Sequence, residues 1–332
     1  MQTIFFKNQP RIVATGTIAG PKECAGVVGR YVDKTLIDDM FGESTYEKAE
    51  CKMLKYAVNK AIENAGAVEK DVDMLISGDL LNQIISASFT ARDFDFPFLG
   101  VYGACSTLAE SYALAAALIN AGYYKKIVAA TGSHFSSAER QYRYPLELGN
   151  TRPPQAQWTV TGAGGAFIAD MGATKSSIAI TSATFGKVVD FGITDVNNMG
   201  AAMAPAASDT ILNHLRDTGR SADYYDLIIT GDLGALGSRI VKDLTWEKGV
   251  EIQDNHVDCG EIIYNVIEDE YQGGSGAGCS AVVFNSYIFD KLKRKEINRV
   301  LLAATGALLS TVSSGQGESI PCICHAVSIE NV

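Results

Sequence analysis

Short apolar runs alternate with amphipathic segments along this chain, and that alternation predicts strands and helices in regular succession. Arg11–Ile18 reads as a first strand, broken at Gly20-Pro21. Ser44-Thr45-Tyr46-Glu47 has the S-x-x-E form of a capping box, in which a hydroxyl and a carboxylate satisfy the first free amides of a helix. That helix runs to Asn64, and Gly66 stops it. Val72–Ser77 is the next strand and ends in Gly78-Asp79. Phe96–Val101 is an apolar run of buried-strand type, Gly103–Ser106 a tight turn of small residues, and Thr107 onward a helix closed by Gly122. Lys126–Ala130 follows as a strand and leads into Thr131-Gly132-Ser133-His134. Residues 133–160 interrupt the rhythm with three arginines, three prolines and four large aromatics. A connection of that length in a compact α/β protein is usually functional, and its aromatics argue against disorder. The Gly-rich strand Thr161–Asp170 then closes the first half.

The second half repeats the first. VDMLISGDLL at Val72–Leu81 is echoed by YDLIITGDLGAL at Tyr225–Leu236, and IVAATGSHFSS at Ile127–Ser137 by LLAATGALLSTVSS at Leu301–Ser314. GACSTLAES around Cys105 is echoed by GAGCSAVVF around Cys279. Cys105 to Cys279 and Thr131 to Thr305 share a spacing of 174 residues. Three matched segments in one order predict a duplicated β/α unit, residues 1–172 and 173–332. Several strands are apolar throughout, which places them in sheets covered on both faces.

Composition narrows the function classes. The 332 residues are 47% hydrophobic and 20% charged, with a net charge of −10. That balance fits a large-cored globular protein and argues against a surface for nucleic acid or anionic membrane. The first residues, MQTIFFKNQPRIV, show no basic segment leading into a long apolar core, and the apolar helix Tyr112–Tyr124 is too short to span a bilayer. Seven cysteines without paired spacing point to a reducing interior, and so to a soluble intracellular protein. Cys322 and Cys324 read as two residues on one strand face. No His/Cys cluster has zinc-site spacing, and the glycines at 273–278 lack the lysine of a phosphate-binding loop.

Cys105 is the focus of the chemistry. It lies at or just before a helix N-terminus, where unpaired amides and the helix dipole favour thiolate and attract anions. Small neighbours leave room around the sulfur, although a lone buried cysteine also serves simply as a small hydrophobe. Asp79 and Asp232 each follow a Gly at the end of a repeated strand, where an aspartate either lines a ligand site or caps the next helix.

A duplicated α/β unit with a cysteine opening the third helix of its first half resembles the thiolase superfamily. Within it, GVYGACSTLAES, TGSHFSSAERQYRYP, RPPQAQWTVTGAGGA and AATGALLS resemble the stage V sporulation AD family of spore-forming bacteria. The resemblance implies the five-layer αβαβα fold, a homodimer and no cofactor. It also implies binding of dipicolinic acid (pyridine-2,6-dicarboxylate) during uptake into the developing spore. Membrane proteins of the same operon are the implied partners, which would place the chain at the periphery of the spore inner membrane.

Superfamily enzymes pair the cysteine with a second-half His and either an Asn or a second Cys, which activate the thiol and stabilise an oxyanion. Here the position after Leu227–Thr230 holds Gly231-Asp232, the turn Tyr271–Gly276 offers no Asn, and the loop after Ala304 holds no Cys. A carboxylate beside Cys105 would raise the thiol pKa. His214, His256 and His325 have no motif around them. A non-catalytic binding protein is therefore the first expectation. An acyl-transfer or condensing enzyme using Cys105, and a scaffold for membrane partners, are the alternatives.

A flat dicarboxylate needs cationic donors and an aromatic or apolar wall. The segment 133–160 offers Arg140, Arg143 and Arg152 beside Tyr142, Tyr144 and Trp158, with His134 and Gln141 in reach of a ring nitrogen or carboxylate. Arg140 and Arg143 are the expected carboxylate partners, with Asp79 and Asp232 lining the same cavity and, if calcium accompanies the ligand, supplying oxygens. Arg152 reads equally well as a solvated charge.

Overall fold

The computed structural model describes residues 1–143, 145–264 and 272–332; Tyr144 and Tyr271 lie outside them. Ten strands carry the architecture among these residues. In the first half they are β1 (Arg11–Ala19), β2 (Met74–Gly78), β3 (Phe98–Gly100), β4 (Lys126–Ser133) and β5 (Gly162–Ala169). In the second they are β6 (Ile178–Phe185), β7 (Leu227–Thr230), β8 (His256–Asp258), β9 (Arg299–Ala307) and β10 (Cys322–Asn331). Spatial order is β3-β2-β4-β5-β1 in the first half and β8-β7-β9-β10-β6 in the second, the same path twice. In each half the fifth strand runs antiparallel to its neighbours while the other pairings are parallel. The two sets touch where Arg11 of β1 pairs with Ala179 of β6.

The helices fall into three layers around these strands. Helix α1 (Tyr46–Asn64) packs Met53, Leu54, Ala57 and Val58 against Leu75 and Val128 on the outer face of the first half, with α2 (Ile85–Ala91) beside it. Its N-cap is Thr45, whose hydroxyl accepts the Lys48 amide at 3.3 Å, one residue later than the capping box predicts. On the far side, α5 (Met199–Thr218) and α6 (Gly234–Trp246) cover the second half with Met203, Ala207, Ile211 and Val241. Between the sheets lie α3 (Thr107–Asn120), the short α7 (Cys259–Ile263) and α8 (Ala277–Val283). Their Leu108, Tyr112, Ile119 and Val282, with Phe284 just beyond α8, are fully or almost fully buried among strand residues of both halves. Each such side chain is worth roughly 1.5–3 kcal/mol over an exposed one, so this doubly covered layer is the centre of the core. Helix, sheet, helix, sheet, helix is the expected five-layer αβαβα arrangement.

The long segment after β4 is more regular than its sequence indicates. It forms α4 (Phe135–Tyr142), a turn at Leu146–Leu148 and a two-residue strand, Trp158–Thr159, paired in parallel with Gly274–Ser275 of the second half. That pairing brings a first-half connection and a second-half turn to the same place. No described helix is long and apolar enough to cross a membrane.

Candidate functional site

The site is built at the C-terminal ends of β2, β4, β7 and β9. Residues Ala104–Ser106 form a single 3₁₀ turn before α3, and Ala104 adopts φ 50°. A left-handed alanine costs about 1–2 kcal/mol, so the surroundings must hold it. One such restraint is Gly306 at the end of β9: a Cβ there would lie 2.1 Å from the Gly103 carbonyl oxygen. The bare glycine lets β9 press directly against the cysteine turn.

Cys105 is partly exposed into a pocket of about 500 Å³ including its open mouth. The first half contributes Leu80, Tyr102, Ala138, Tyr142, Arg143 and Thr159 to its walls, and the second half Met199, Met203, Ser275, Ala307 and Leu309. The walls are largely apolar. Tyr142 donates its hydroxyl to the Leu80 carbonyl and lies 3.0 Å from the Tyr102 hydroxyl. Arg143 is the one cation among the described lining residues.

Behind the sulfur sits Asp232. Its carboxylate accepts the Gly276 amide at 2.9 Å, the Thr305 hydroxyl at 2.9 Å and the Ser275 hydroxyl at 3.4 Å. Gly276 makes this possible with φ 96°, a conformation that side-chain-bearing residues rarely adopt. Burial raises the Asp232 carboxyl to about 6. Burial, and then the Asp232 charge, push the Cys105 thiol well above its ordinary range, and the weaker pull of Arg143 does not reverse this. Burial and the neighbouring carboxylate thus hold Cys105 as a thiol. The helix N-terminus does not make it a thiolate, contrary to the simple expectation from its position.

The arginines separate sharply. Arg143 lies just past the end of α4, where φ −124° and ψ −61° depart from the helix, and its side chain is only 7% exposed. Its Nε is 3.6 Å from Glu139 Oε2 and its Nη1 donates to the Gln157 carbonyl at 3.2 Å. Arg140, one turn earlier, is 45% exposed and pairs with Glu47 of α1. It does not line the pocket, so the expected two-arginine clamp reduces to Arg143.

Four further expectations are corrected. Asp79 is fully buried, and its two oxygens accept the Leu81 and Ala87 amides at 2.7 Å each. It caps the start of α2 instead of lining the cavity, and burial raises its carboxyl to about 6. His134 is the N-cap of α4. Its Nδ1 accepts the Ser136 amide at 3.1 Å while Nε2 donates to the Asp39 carbonyl at 2.7 Å, which fixes a neutral ring whose pKa burial lowers. Gln141 accepts the Asn82 amide at 3.3 Å through its side-chain oxygen. Trp158 stacks on Phe135 with centroids 3.8 Å apart, and Lys22 and Arg152 lie over its ring, away from the pocket lining. Of the nine expected residues, Cys105, Tyr142 and Arg143 line the pocket, and Asp232 sits behind its wall, accepting from the lining Ser275. Among the described residues no group of three or more His, Cys, Asp or Glu is placed to hold a metal ion.

Sequence reasoning missed Met199 and Met203, an i,i+4 pair on α5, and Glu139, which spaces i,i+4 with Arg143. Both pairs are visible once the segments are read as helices.

The model of the family described as stage V sporulation protein AD (SpoVAD) matches residues 1–330. Stage V sporulation protein AD of Bacillus subtilis strain 168 is 47% identical over 329 residues, covering 99% of this chain and 96% of that protein. Among solved structures, cerulenin-bound OleA from Xanthomonas campestris aligns with a TM-score of 0.59 at 13% identity over 98% of each chain. 3-Oxoacyl-[acyl-carrier-protein] synthase III from Aquifex aeolicus VF5 aligns with a TM-score of 0.58 at 13% identity, covering 97% of this chain and 99% of its own. These distant structures share the thiolase-like fold. The chain belongs to the stage V sporulation protein AD family.

Proposed function

We propose that this sporulation protein uses a thiolase-like pocket to bind dipicolinic acid, free or as its calcium chelate, and performs no acyl transfer. The observation that carries the reading is the pairing of Arg143 with Cys105 in one mostly apolar pocket. A buried guanidinium offers a carboxylate directed, charge-assisted hydrogen bonds. Tyr142, Met199, Met203 and Leu309 supply surfaces against which a flat ring packs. The thiol, meanwhile, faces a carboxylate where an acyl-transfer site requires a base that can take its proton and a donor for an oxyanion. Asp232 is a poor oxyanion donor because it is already an acceptor from the Gly276 amide and two hydroxyls. In this reading the chain works as a homodimer at the periphery of the spore inner membrane and delivers its ligand to membrane proteins of the same operon.

Two parallel measurements test the proposal on the full chain. Calorimetric titration with dipicolinate, with and without calcium, is expected to give saturable binding. Intact-mass analysis after incubation with acyl-coenzyme A is expected to give no adduct. Absence of dipicolinate binding, or an acyl-sized mass increase that Cys105→Ala abolishes, would overturn it.

A further inference from the structure

Arg143 does not enter the pocket alone. It follows Glu139 by one helical turn, and the Glu139 carboxylate is only 2% exposed. One Glu139 oxygen faces Arg143 Nε at 3.6 Å, and the other accepts the Thr159 hydroxyl at 3.0 Å. Thr159 itself lines the pocket. Both oxygens of Glu139 are therefore engaged on the side of the guanidinium that the helix dictates, and the Gln157 carbonyl holds Nη1 at 3.2 Å. The one cation among the described lining residues comes with a resident anion, and a second carboxylate, Asp232, lies behind Cys105.

We propose that Glu139 is a specificity-determining positioning residue: with the Gln157 carbonyl it holds part of the Arg143 fork, leaves the remaining N–H groups to a single ligand carboxylate, and sets how much negative charge the pocket accepts. The proposal rests on the reading of the pocket as an anion-binding site for a small aromatic acid. An incoming carboxylate must share Arg143 with Glu139 and gains less than it would from an unpaired guanidinium. A second ligand carboxylate meets Glu139 and Asp232 without a further cation from the described lining residues. The buried position makes this repulsion effective, since water screens it poorly. Glu139 thus aims Arg143 while lowering its affinity for anions, and the two effects differ in sign when the charge alone is removed.

Glu139→Gln separates them, because the amide keeps the side chain's shape and an acceptor oxygen for Thr159 while the charge facing Arg143 is gone. The probes are benzoate, dipicolinate and neutral benzamide, titrated calorimetrically into the wild type and the variant after circular dichroism confirms the fold. One charge removed at several ångströms in a partly buried site is expected to tighten benzoate about tenfold and dipicolinate more, about a hundredfold. Benzamide is expected to change by less than about threefold on the same grounds. Adding Arg143→Ala to the variant is expected to abolish the gain. Unchanged or weaker anion binding, or an equal change for benzamide, would overturn the inference, since a purely structural Glu139 would loosen every probe. Should Glu139→Gln fail to fold, a structure of the wild type soaked with dipicolinate decides. A ligand carboxylate on Arg143 with Glu139 still against Nε supports the inference, and displacement of Glu139 from Nε contradicts it. A wild type that ignores dipicolinate while the variant captures benzoate would overturn the proposed function and leave this inference standing. A wild type that binds dipicolinate no less tightly than the variant would do the reverse.

Discussion

Replacing Asp232 with asparagine should awaken the Cys105 thiol. In the wild type that thiol is pushed up first by burial and then by Asp232, whose charge repels a thiolate. Asparagine keeps the shape and one acceptor oxygen for Thr305, but removes the charge. Two unit charges about 4 Å apart interact by about 4 kcal/mol at the effective dielectric typical of protein sites. The open mouth of the pocket and relaxation of the neighbouring Gly276 amide reduce this, and about half is a working figure, roughly 2 kcal/mol. Each 1.4 kcal/mol changes the thiolate fraction about tenfold, so alkylation of Cys105 should accelerate by roughly thirtyfold at fixed pH. The assay is iodoacetamide labelling at pH 8, followed by peptide mass mapping that separates Cys105 from the partly exposed Cys24 and Cys51. An unchanged or slower rate in a folded Asp232→Asn protein would refute the reasoning and assign the inertness to burial alone. Acylation by acyl-coenzyme A should remain absent even in the faster variant, because asparagine supplies no base to take the thiol proton.

Two further outcomes follow from the other buried carboxyls. Asp79→Asn should lower the melting temperature by several degrees, since it disturbs two 2.7 Å bonds to backbone amides at a cost of about 1–3 kcal/mol. It should leave dipicolinate affinity within about threefold, because a cap acts on stability and not on the ligand; intact stability with lost affinity would return Asp79 to the pocket. Asp258 accepts the Thr230 hydroxyl and the Leu233, Gly234 and Gly260 amides, yet burial raises it from 3.8 to about 7. A carboxyl raised on folding contributes stability that is fully present below about pH 4 and lost as pH climbs through about 7. Measured against Asp258→Asn by denaturant unfolding, the wild type should therefore lose about 4 kcal/mol between those limits. A difference that is flat or of opposite slope would contradict the assignment.

The parts of this molecule that were legible in its sequence are those where one local pattern occurs twice. LISGD and LIITGD lie on β2 and β7, the two small-residue cysteine turns open α3 and α8, and the two AATG runs lie on β4 and β9. Repetition there removes the ambiguity of a single short apolar run. The site was less legible because it depends on directions that spacing alone does not give. Arg140 and Arg143 look equivalent in a segment read as irregular. Once residues 135–142 are helical, Arg140 faces Glu47 on α1, while the non-helical backbone at Arg143 turns that side chain inward. Asp79 and Asp232 occupy matching sequence positions and have different duties. The chain after Asp79 curls back so that Leu81 and Ala87 present their amides, whereas Asp232 meets Gly276 and Cys105 from distant parts of the chain. The duplicate of the Asp79 cap is carried by Asp258, on a different strand, through Leu233 and Gly234. Such exchanges between equivalent halves leave no local trace in the sequence.

The central claim is that a single buried arginine in the cysteine pocket receives the ligand carboxylate. Calorimetric titration of dipicolinate against Arg143→Ala and Arg140→Ala, each compared with the wild type, tests it most directly. Truncating one partner of a buried charge-assisted contact costs about 2–5 kcal/mol, so Arg143→Ala should weaken binding by well over tenfold. Arg140 is 45% exposed and paired with Glu47, so its alanine variant should bind like the wild type. Near-wild-type affinity in Arg143→Ala, or a large loss confined to Arg140→Ala, would contradict the account.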